Sequence, residues 1–332
     1  MSAHSRATPQ DRAAPTFRVS VAVDRGDVGV RVDRVLLRHL NHLPGLTRNR
    51  IQRLIDAGAV SVDGRPVSRP AARLPAGASL TIDLPDRKPR QSPEAQALPL
   101  DVRYEDDALI VVAKPAGQVS HPAFRNTSGT LLNALLGRAA GRWQPALVSR
   151  LDKDTSGLVI VAKAREVQAA MQRLGDRNLI DKDYLAIVAG KPPARGVIDL
   201  ALDRDPWDAR RVTVRDRGGV PSVTTFQRIR TFALGLDRHV SLVKCRLITG
   251  RTHQIRVHLA AKGWPIIGDA VYGTARRGTH EGSRLPAGLT IARQALHAWR
   301  VAFPHPSTGT ALEVSAEIPA DMQAVLDAAE QR

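Results

Sequence analysis

The alternation of hydrophobic and polar positions separates the chain into a short amino-terminal module and a long, strand-rich remainder. In the module, apolar residues between 32 and 40 recur at helical spacing. A second helix is predicted to begin after Thr47, whose side chain can cap it, and to end at Gly58. Two strands should follow, one over 60–65 that enters a turn at an Asp-Gly pair and one over 79–83.

Beyond residue 101 the pattern favours strands with few helices between them. Apolar runs predict strands on both sides of an acidic turn in 102–114 and at 158–162, 182–188, 223–229, 239–247, 298–303 and 311–316. Helices are predicted at 129–136, at 166–174 and from about residue 320. The segment 197–217 lacks periodicity and is interpreted as irregular and basic. This order of elements favours an α+β fold with a mixed, mainly antiparallel sheet.

Breaks in this pattern divide the chain into four parts. Residues 1–16, rich in Ser, Ala, Pro and Arg, are predicted to form a disordered basic tail. The small α/β module spans 17–85, and a charged linker with several prolines spans 86–100. The strand-rich domain occupies 101–332.

The charge of the chain indicates the kind of partner that it binds. Its 332 residues include 49 Lys and Arg against 32 Asp and Glu, a formal charge of +17. Such a charge predicts a polyanionic partner, either nucleic acid or an anionic membrane surface. No apolar run approaches the ~18 residues of a membrane-spanning helix, and the amino terminus lacks the apolar core of a signal sequence. We therefore expect a cytoplasmic protein that binds nucleic acid rather than a membrane and, because no apolar seam is evident, a monomer.

A polar loop directly before a predicted buried strand carries the first candidate for chemistry. The loop contains Arg150, Asp152 and Asp154, and the turn Thr155-Ser156-Gly157 leads into the apolar run 158–162. A carboxylate next to a core strand has the rigid support that a catalytic group needs. The alternative is that Asp152 only caps a turn, as many loop aspartates do.

A second charged motif lies at 249–259. If this segment is helical, Arg256 shares a face with four neighbours, Thr252, His253, Leu259 and Ala260. An arginine among apolar neighbours on a short helix needs an anion close by. We therefore expect an anionic partner for Arg256.

Other chemistries are disfavoured by spacing and by residue counts. His253 and His258 are five residues apart, not the four that place two zinc ligands on one helical face. The single Cys245 excludes an internal disulfide and a zinc site built from cysteines. Asp152 and Asp154 are too close along the chain to flank a glycosidic bond, and neither a Walker loop nor a dinucleotide-binding glycine loop occurs. We expect no metal and no cofactor.

The second predicted helix is rich in arginine. Its arginines are Arg48, Arg50 and Arg53, and three more around the first helix (Arg31, Arg34, Arg38) could extend them into a stripe that follows phosphates. The alternative is an ordinary solvated helix face. Aromatic residues make up only 4% of the chain, so base stacking cannot depend on many rings.

Three segments of the module together carry a family resemblance. They are Arg31-Val32-Asp33-Arg34-Val35-Leu36, Leu46-Thr47-Arg48-Asn49-Arg50-Ile51-Gln52-Arg53-Leu54-Ile55 and Gly58-Ala59-Val60-Ser61-Val62-Asp63-Gly64. In this order they resemble the S4 RNA-binding domain. Thr47 stands where serine is more usual, a change that keeps the helix cap. The resemblance implies that the module binds RNA, with Arg48, Arg50 and Arg53 as candidate contacts.

Five separated motifs carry a second resemblance. They are Lys114-Pro115-Ala116-Gly117, Ser149-Arg150-Leu151-Asp152-Lys153-Asp154-Thr155-Ser156-Gly157, Lys182-Asp183-Tyr184-Leu185-Ala186, Gly250-Arg251-Thr252-His253-Gln254-Ile255-Arg256-Val257-His258 and Arg293-Gln294-Ala295-Leu296-His297-Ala298. Over 101–318 the chain resembles the RluA family of pseudouridine synthases. The segment 268–273 and the last motif are most similar to the RluD-like branch, which modifies large-subunit (23S) ribosomal RNA. The resemblance implies the pseudouridine synthase fold and an isomerase that needs no cofactor.

The resemblance also implies roles for three residues of a catalytic centre. Asp152 corresponds to the catalytic aspartate of the family and Tyr184 to the active-site tyrosine. Arg256 corresponds to the arginine that pairs with the aspartate. A paired arginine favours the ionised carboxylate, whereas burial alone suppresses it. We therefore expect a bidentate contact between Arg256 and Asp152.

Further residues are implied in RNA binding and base flipping. Arg150 corresponds to the arginine that fills the gap left by the flipped uridine, and Arg251 and His253 are the other candidates. Two positions depart from the family pattern. Ser149 stands where histidine is usual, and the segment 218–220 lacks the usual lysine.

The implied reaction breaks the N1–C1′ bond of a uridine, turns the base and joins C5 to C1′. The base must first leave its stack, at a cost of a few kcal/mol. Asp152 would then attack C1′ or remove a proton from the sugar, and Tyr184 would support the loose uracil.

Three alternatives to this function remain open at the level of sequence. The chain could have an RluC-like specificity for ribosomal RNA or act on tRNA. It could also be a non-catalytic RNA-binding factor of ribosome assembly. The favoured partner is 23S ribosomal RNA, free or in pre-50S particles.

Overall fold

The computed structural model describes residues 16–24, 26–40, 43, 46–85, 93–122, 126–208, 211–235, 238–273, 289 and 291–332. The chain divides into two compact units, Met1–Ser92 and Pro93–Arg332. The predicted tail, apart from residue 16, and residues 86–92 of the predicted linker lie outside the described residues.

The first unit combines two helices with a four-stranded antiparallel sheet. Its elements are β1 (Thr16–Ala22), α1 (Val32–His39), α2 (Arg48–Asp56), β2 (Val60–Val62), β3 (Arg65–Pro66) and β4 (Ser79–Pro85), with strand order β1-β4-β2-β3. Both helices bury one face in a core shared with the sheet, as their apolar spacing predicts. The sequence pattern did not reveal β1, because Val21 is its one buried apolar residue among those described.

The boundaries of α2 follow local signals in the sequence. The Thr47 hydroxyl accepts a hydrogen bond from the Arg50 backbone N–H at 3.3 Å, which confirms the predicted cap. After the helix, Gly58 has a φ of +74°. Asp63 and Gly64 both have positive φ, as a two-residue hairpin turn between β2 and β3 requires.

The second unit is built on a ten-stranded sheet. Its strands are β5 (Asp101–Glu105), β6 (Leu109–Lys114), β7 (Ala146–Leu147), β8 (Ser156–Ala162), β9 (Asp181–Ala189), β10 (Arg195–Asp199), β13 (Val223–Ala233), β14 (His239–Leu247), β15 (Leu296–Pro304) and β16 (Ala311–Ser315). The strands β11 (Leu202–Arg204) and β12 (Val212–Val214) form a separate pair. The ladder between β8 and β15 is parallel and the other ladders are antiparallel. The predicted mixed, mainly antiparallel α+β fold is confirmed.

Strand β8 is central to this unit because it is buried on both faces. Val159 and Val161 belong to the core that also contains residues of the helices α3 (Leu131–Ala139), α5 (Gln254–Ala261) and α6 (Ala320–Glu330). Leu158 and Ile160 belong to the opposite core, which contains Met171 of α4 (Arg165–Asp176). The two-residue period of a strand separates these two sets. The loop before β8 therefore starts from a fixed support.

One predicted region is wrong. The segment 197–217, interpreted as irregular, contains most of β10 and both strands of the β11–β12 pair. These strands are three to five residues long and carry charged residues. Such strands are too short and too polar to produce a clear alternation.

Candidate active site

The loop before β8 is held from two sides by side chains of other motifs. Lys114 is 1% exposed, and its Nζ donates to the backbone oxygens of Pro115, Gln118 and Lys153 at 2.8, 2.8 and 3.0 Å. On the other side, Arg293 donates to the Asp154 oxygen at 3.3 Å. Burial lowers the pKa of Lys114 to about 8. The backbone of the two residues that follow Asp152 is thus tied to buried side chains.

A close approach between two strands fixes the point where this loop ends and β8 begins. Gly157 lies opposite Ala298 in the parallel ladder between β8 and β15. A Cβ atom on Gly157 would be 2.3 Å from the Ala298 backbone oxygen, and the residue has a φ of +114°. Only glycine fits here without moving the strands.

The central feature of the site is a chain of three charged side chains. Arg256 Nη1 donates to Asp152 Oδ2 at 2.8 Å. Arg256 Nε and Nη2 donate to Asp269 Oδ2 and Oδ1 at 2.6 and 2.9 Å. The expected bidentate contact between Arg256 and Asp152 is therefore wrong, because the two-pronged contact is made with Asp269. Asp152 receives a single hydrogen bond from Arg256.

The two carboxylates differ in how fully they are satisfied. Asp269 has no exposed side-chain surface, and its Oδ1 also accepts from the backbone N–H groups of Val271 and Tyr272 at 2.9 and 3.0 Å. Asp152 keeps 26% of its side chain exposed. Among the described residues, its one side-chain hydrogen bond comes from Arg256. Asp152 therefore keeps acceptor capacity for a ligand.

Burial and pairing act in opposite directions on this network. Burial works to raise the pKa of Asp269, but the hydrogen bonds from Arg256 and two backbone N–H groups outweigh it, so the pKa is lowered. Burial works to lower the pKa of Arg256, but both aspartates raise it overall. Arg256 thus stays charged at neutral pH.

His253 stands directly before α5 and not within it, so the predicted helical face of Arg256 does not include His253. Its backbone is left-handed, with a φ of 55°. Nε2 of His253 is 3.7 Å from Asp152 Oδ2, and Nδ1 is 2.9 Å from the Tyr272 hydroxyl. Burial, the largest influence, lowers the pKa of His253. Neutral His253 and Tyr272 therefore add a polar wall beside Asp152.

Tyr184 is the aromatic residue of the site. It lies on β9 and is 8% exposed. Burial, followed by the charge of Asp152, raises the pKa of its hydroxyl well above the usual value. The hydroxyl therefore keeps its proton and can donate a hydrogen bond.

One cavity of about 580 Å³ is lined by Asp152, Tyr184, His253 and Arg256. It brings together all the site residues predicted in the second unit, namely Arg150, Asp152, Tyr184, Arg251, His253 and Arg256. Arg150 and Arg251 are exposed, whereas Arg256 is buried. The cavity has the size of a site for a small organic group such as a nucleoside.

The arginines predicted in the first unit are placed differently. Arg48 Nε donates to Asp33 at 3.1 Å, and Arg31 binds the same carboxylate with two hydrogen bonds of 3.0 Å. Arg38 pairs with Asp24 and Asp27. The predicted stripe is therefore partly neutralised within the unit, while Arg34 and Arg53 are exposed. RNA contact by Arg48, Arg50 and Arg53 stays a prediction.

Lys114, Asp269 and Arg293 lie within segments that carry the family resemblance, but no role was predicted for them. Their contacts join residues that are far apart in the chain, which spacing cannot indicate. Ser149, the departure from the family pattern, has its hydroxyl 3.3 Å from the Ile160 backbone N–H, which donates to it. The serine thus ties the loop to β8.

Comparison with known proteins identifies the family. The sequence model described as RNA pseudouridylate synthase matches residues 108–261, and that of the S4 domain matches 30–80. Ribosomal large subunit pseudouridine synthase D of Zymomonas mobilis subsp. mobilis is 38% identical over 318 residues, which are 93% of this chain and 96% of that protein. The chain belongs to the RNA pseudouridylate synthase family. This family membership makes it an isomerase, as the sequence predicted.

Two further members of the RNA pseudouridylate synthase family agree with this assignment. Ribosomal large subunit pseudouridine synthase D of Nitrosomonas europaea is 38% identical over 313 residues, 93% of this chain and 87% of that protein. The structure of Human RNA Pseudouridylate Synthase Domain Containing 1 matches with a TM-score of 0.52 and 26% identity, over 67% of this chain and 85% of that chain. Within the described residues, no helix combines the length and apolar character needed to cross a membrane.

Proposed function

We propose that this synthase isomerises uridines of 23S large-subunit ribosomal RNA, with Asp152 as the reacting carboxylate. The observation that carries the proposal is the setting of Asp152. One of its oxygens is oriented by the charged Arg256, and the carboxylate lines a cavity beside Tyr184. The names of the relatives from Zymomonas and Nitrosomonas support large-subunit RNA as the substrate.

The reaction needs no electron donor or acceptor. The N1–C1′ bond breaks, the uracil turns, a C5–C1′ bond forms, and a proton is lost from C5 while N1 gains one. An ionised Asp152 can act as a nucleophile at C1′ or remove a proton from the sugar. Either route needs a carboxylate with a free lone pair, which the single hydrogen bond from Arg256 leaves available.

Two neighbours of Asp152 serve the flipped nucleotide. The ring of Tyr184 can hold the detached uracil while it turns, and its protonated hydroxyl can donate to the base. Arg150 is exposed two residues before Asp152, where its planar guanidinium can enter the stack that the uridine leaves. Phosphate contacts would offset the few kcal/mol that base flipping costs.

The proposal includes the state of the RNA substrate, the location of the enzyme and its oligomeric state. A uridine can flip into the cavity only from accessible RNA, so we expect free 23S RNA or pre-50S particles as substrates. The enzyme would act in the cytoplasm as a monomer. Its S4 domain and its charge of +17 would contribute sequence-independent affinity.

The test in cells is to map pseudouridines by carbodiimide modification and primer extension in a strain that lacks this chain. We expect specific 23S positions to lose pseudouridine and to regain it when the wild-type gene is returned. Unchanged 23S RNA together with lost tRNA pseudouridines would move the substrate to tRNA. No lost pseudouridine in either RNA would overturn the proposed activity.

A further inference from the structure

A tryptophan stands fully in solvent at the end of the β11–β12 pair. The register Leu202↔Val214 to Arg204↔Val212 makes these strands a hairpin whose loop begins after Arg204. Trp207 in this loop is 93% exposed, the highest value among the exposed large hydrophobic residues of the described chain. The whole indole ring is therefore accessible, and an accessible aromatic face can stack on a flat partner such as a base.

The loop holds this tryptophan in a defined place. Asp205 Oδ1 accepts hydrogen bonds from the backbone N–H groups of Trp207 and Asp208 at 2.9 and 3.3 Å. The Arg211 N–H donates to the Asp208 backbone oxygen at 2.8 Å, and the Asp205 N–H donates to the Arg211 oxygen at 3.1 Å. These hydrogen bonds join the described residues 205, 207, 208 and 211, so the backbone at Trp207 belongs to a formed turn.

The loop end of the hairpin is attached to the wall of the active site. The Val212 N–H donates to the Tyr272 hydroxyl at 2.9 Å, and the Arg211 guanidinium lies 5.7 Å from the Tyr272 ring. The same hydroxyl contacts His253, which lines the cavity of Asp152. An RNA strand that places one nucleotide in this cavity therefore passes close to the hairpin.

We propose that Trp207 stacks on an unpaired base of the RNA substrate, next to the uridine that enters the cavity. Exposed Arg204 and Arg211 flank the loop, and their charge suits phosphates on either side of a stacked base. Residues 203–208 contain no second exposed large hydrophobic side chain, so this stretch of the loop does not form an apolar patch. This inference rests on the proposed function, because it takes the substrate to be RNA.

The test compares Trp207→Ala and Trp207→Phe in the full chain. The probe is a stem-loop transcript of 23S RNA with an unpaired uridine in its loop. Stacking of one base on an aromatic ring contributes substantially to binding affinity, so Trp207→Ala should raise Kd for this RNA by about 5- to 150-fold. Trp207→Phe keeps an aromatic ring and should restore most of the affinity. The single-turnover rate at saturating enzyme should stay within about twofold of wild type, since the ring is outside the cavity.

Fluorescence gives a second readout that does not depend on turnover. The chain has four tryptophans, so the signal of Trp207 is the difference between wild type and Trp207→Phe. We expect RNA to quench this difference signal. Equal RNA affinity of wild type and Trp207→Ala, or a loss that Phe does not restore, would overturn the proposal. Quenching by phosphatidylglycerol vesicles and not by RNA would overturn it in favour of a membrane contact.

The two proposals fail in different ways. If the wild type bound and was quenched by RNA but formed no pseudouridine, the proposed function would fail and the stacking would stand. If the wild type formed pseudouridine and Trp207→Ala bound RNA equally well, only the stacking would fail.

Discussion

Both units of the molecule contain an aspartate that accepts four hydrogen bonds, and the second unit also contains Asp152, whose surroundings differ. In the first unit (Met1–Ser92), which contains the match to the S4 domain, Asp33 accepts four hydrogen bonds. Two come from Arg31 and one each from Arg48 and Gln52. In the second unit (Pro93–Arg332), Asp269 also accepts four hydrogen bonds. Asp152 accepts one from Arg256, as far as the described residues show.

The difference separates two carboxylates that the protein itself satisfies from Asp152, the carboxylate that we propose to react. Asp33 and Asp269 have no exposed side-chain surface, and their lone pairs are occupied by the protein. Asp152 is oriented by the same kind of charged hydrogen bond but retains room for another partner. Loss of Asp33 should therefore lower the stability of the fold. Loss of Asp269 should misplace Arg256, and loss of Asp152 should abolish pseudouridine formation.

The largest effect is expected for Asp152→Asn. The amide has nearly the shape of the carboxylate but is a poor nucleophile and base, so pseudouridine formation should fall at least about a thousandfold. RNA affinity should change little. Asp154→Asn in the same loop is the matched control and should keep near wild-type activity in the primer-extension assay.

The next effect is expected for Asp269→Asn. Loss of its charge frees Arg256 to move, and a small misplacement at a reacting carboxylate can lower kcat by about 10- to 100-fold. KM for RNA should remain close to wild type, because Asp269 is buried and does not line the cavity. A larger change in KM than in kcat would contradict this positioning role, and Asp33→Asn serves as the control for a lost buried carboxylate.

A smaller effect is expected from the titration of Lys114. Its pKa is about 8, so its ammonium loses a proton as pH rises through that value and one of its three carbonyl hydrogen bonds is lost. The single-turnover rate should fall by about tenfold above pH 8 as the loop loosens.

The stability of the fold should change with pH in the opposite direction. Between pH 8 and 10.5 the unfolded lysine binds more protons than the folded one, so this group makes folding more favourable as pH rises.

The control for this titration is Lys114→Met. Its rate should be lower than that of wild type at pH 7 and should lack the inflection near pH 8. An identical inflection in Lys114→Met would assign the pH dependence to another group.

The smallest effect on catalysis is expected for Asp33→Asn. Hydrogen bonds, first from Arg31, lower the pKa of Asp33 against the opposing effect of burial. Stability from this carboxylate is therefore present above its unfolded pKa of about 3.9 and is lost as pH falls through the folded value. The substitution should reduce the free energy of unfolding by about 1–3 kcal/mol at pH 7, measured by urea denaturation. The single-turnover rate at saturating enzyme should not change, and a large drop would remove the contrast with Asp152.

Local signals in the sequence were enough for much of the fold. The cap at Thr47 and the hairpin turn after β2 depend on neighbours along the chain, so they were predicted correctly. The strands β1, β11 and β12 were missed because few of their residues are buried or because they are very short. Their pairing is decided by tertiary contacts and not by local periodicity.

The candidate site was predictable only in part. Family resemblance joined Asp152 to Arg256 across the chain, and the structure has them in contact. The number of hydrogen bonds in that contact was wrong, because Asp269 competes for the same guanidinium. Which of two carboxylates receives the bidentate contact depends on the position of α5 relative to the turn at Asp269, which no spacing in the sequence reveals.

The most direct test of the account is the single-turnover rate of Asp152→Asn, with enzyme in excess and the 23S stem-loop fully bound. Under these conditions a difference in RNA affinity cannot affect the rate. The account predicts a rate constant below about a thousandth of that of wild type at equal occupancy. A rate constant above that level would show that another group performs the chemistry and that Asp152 is only a further structural partner of Arg256.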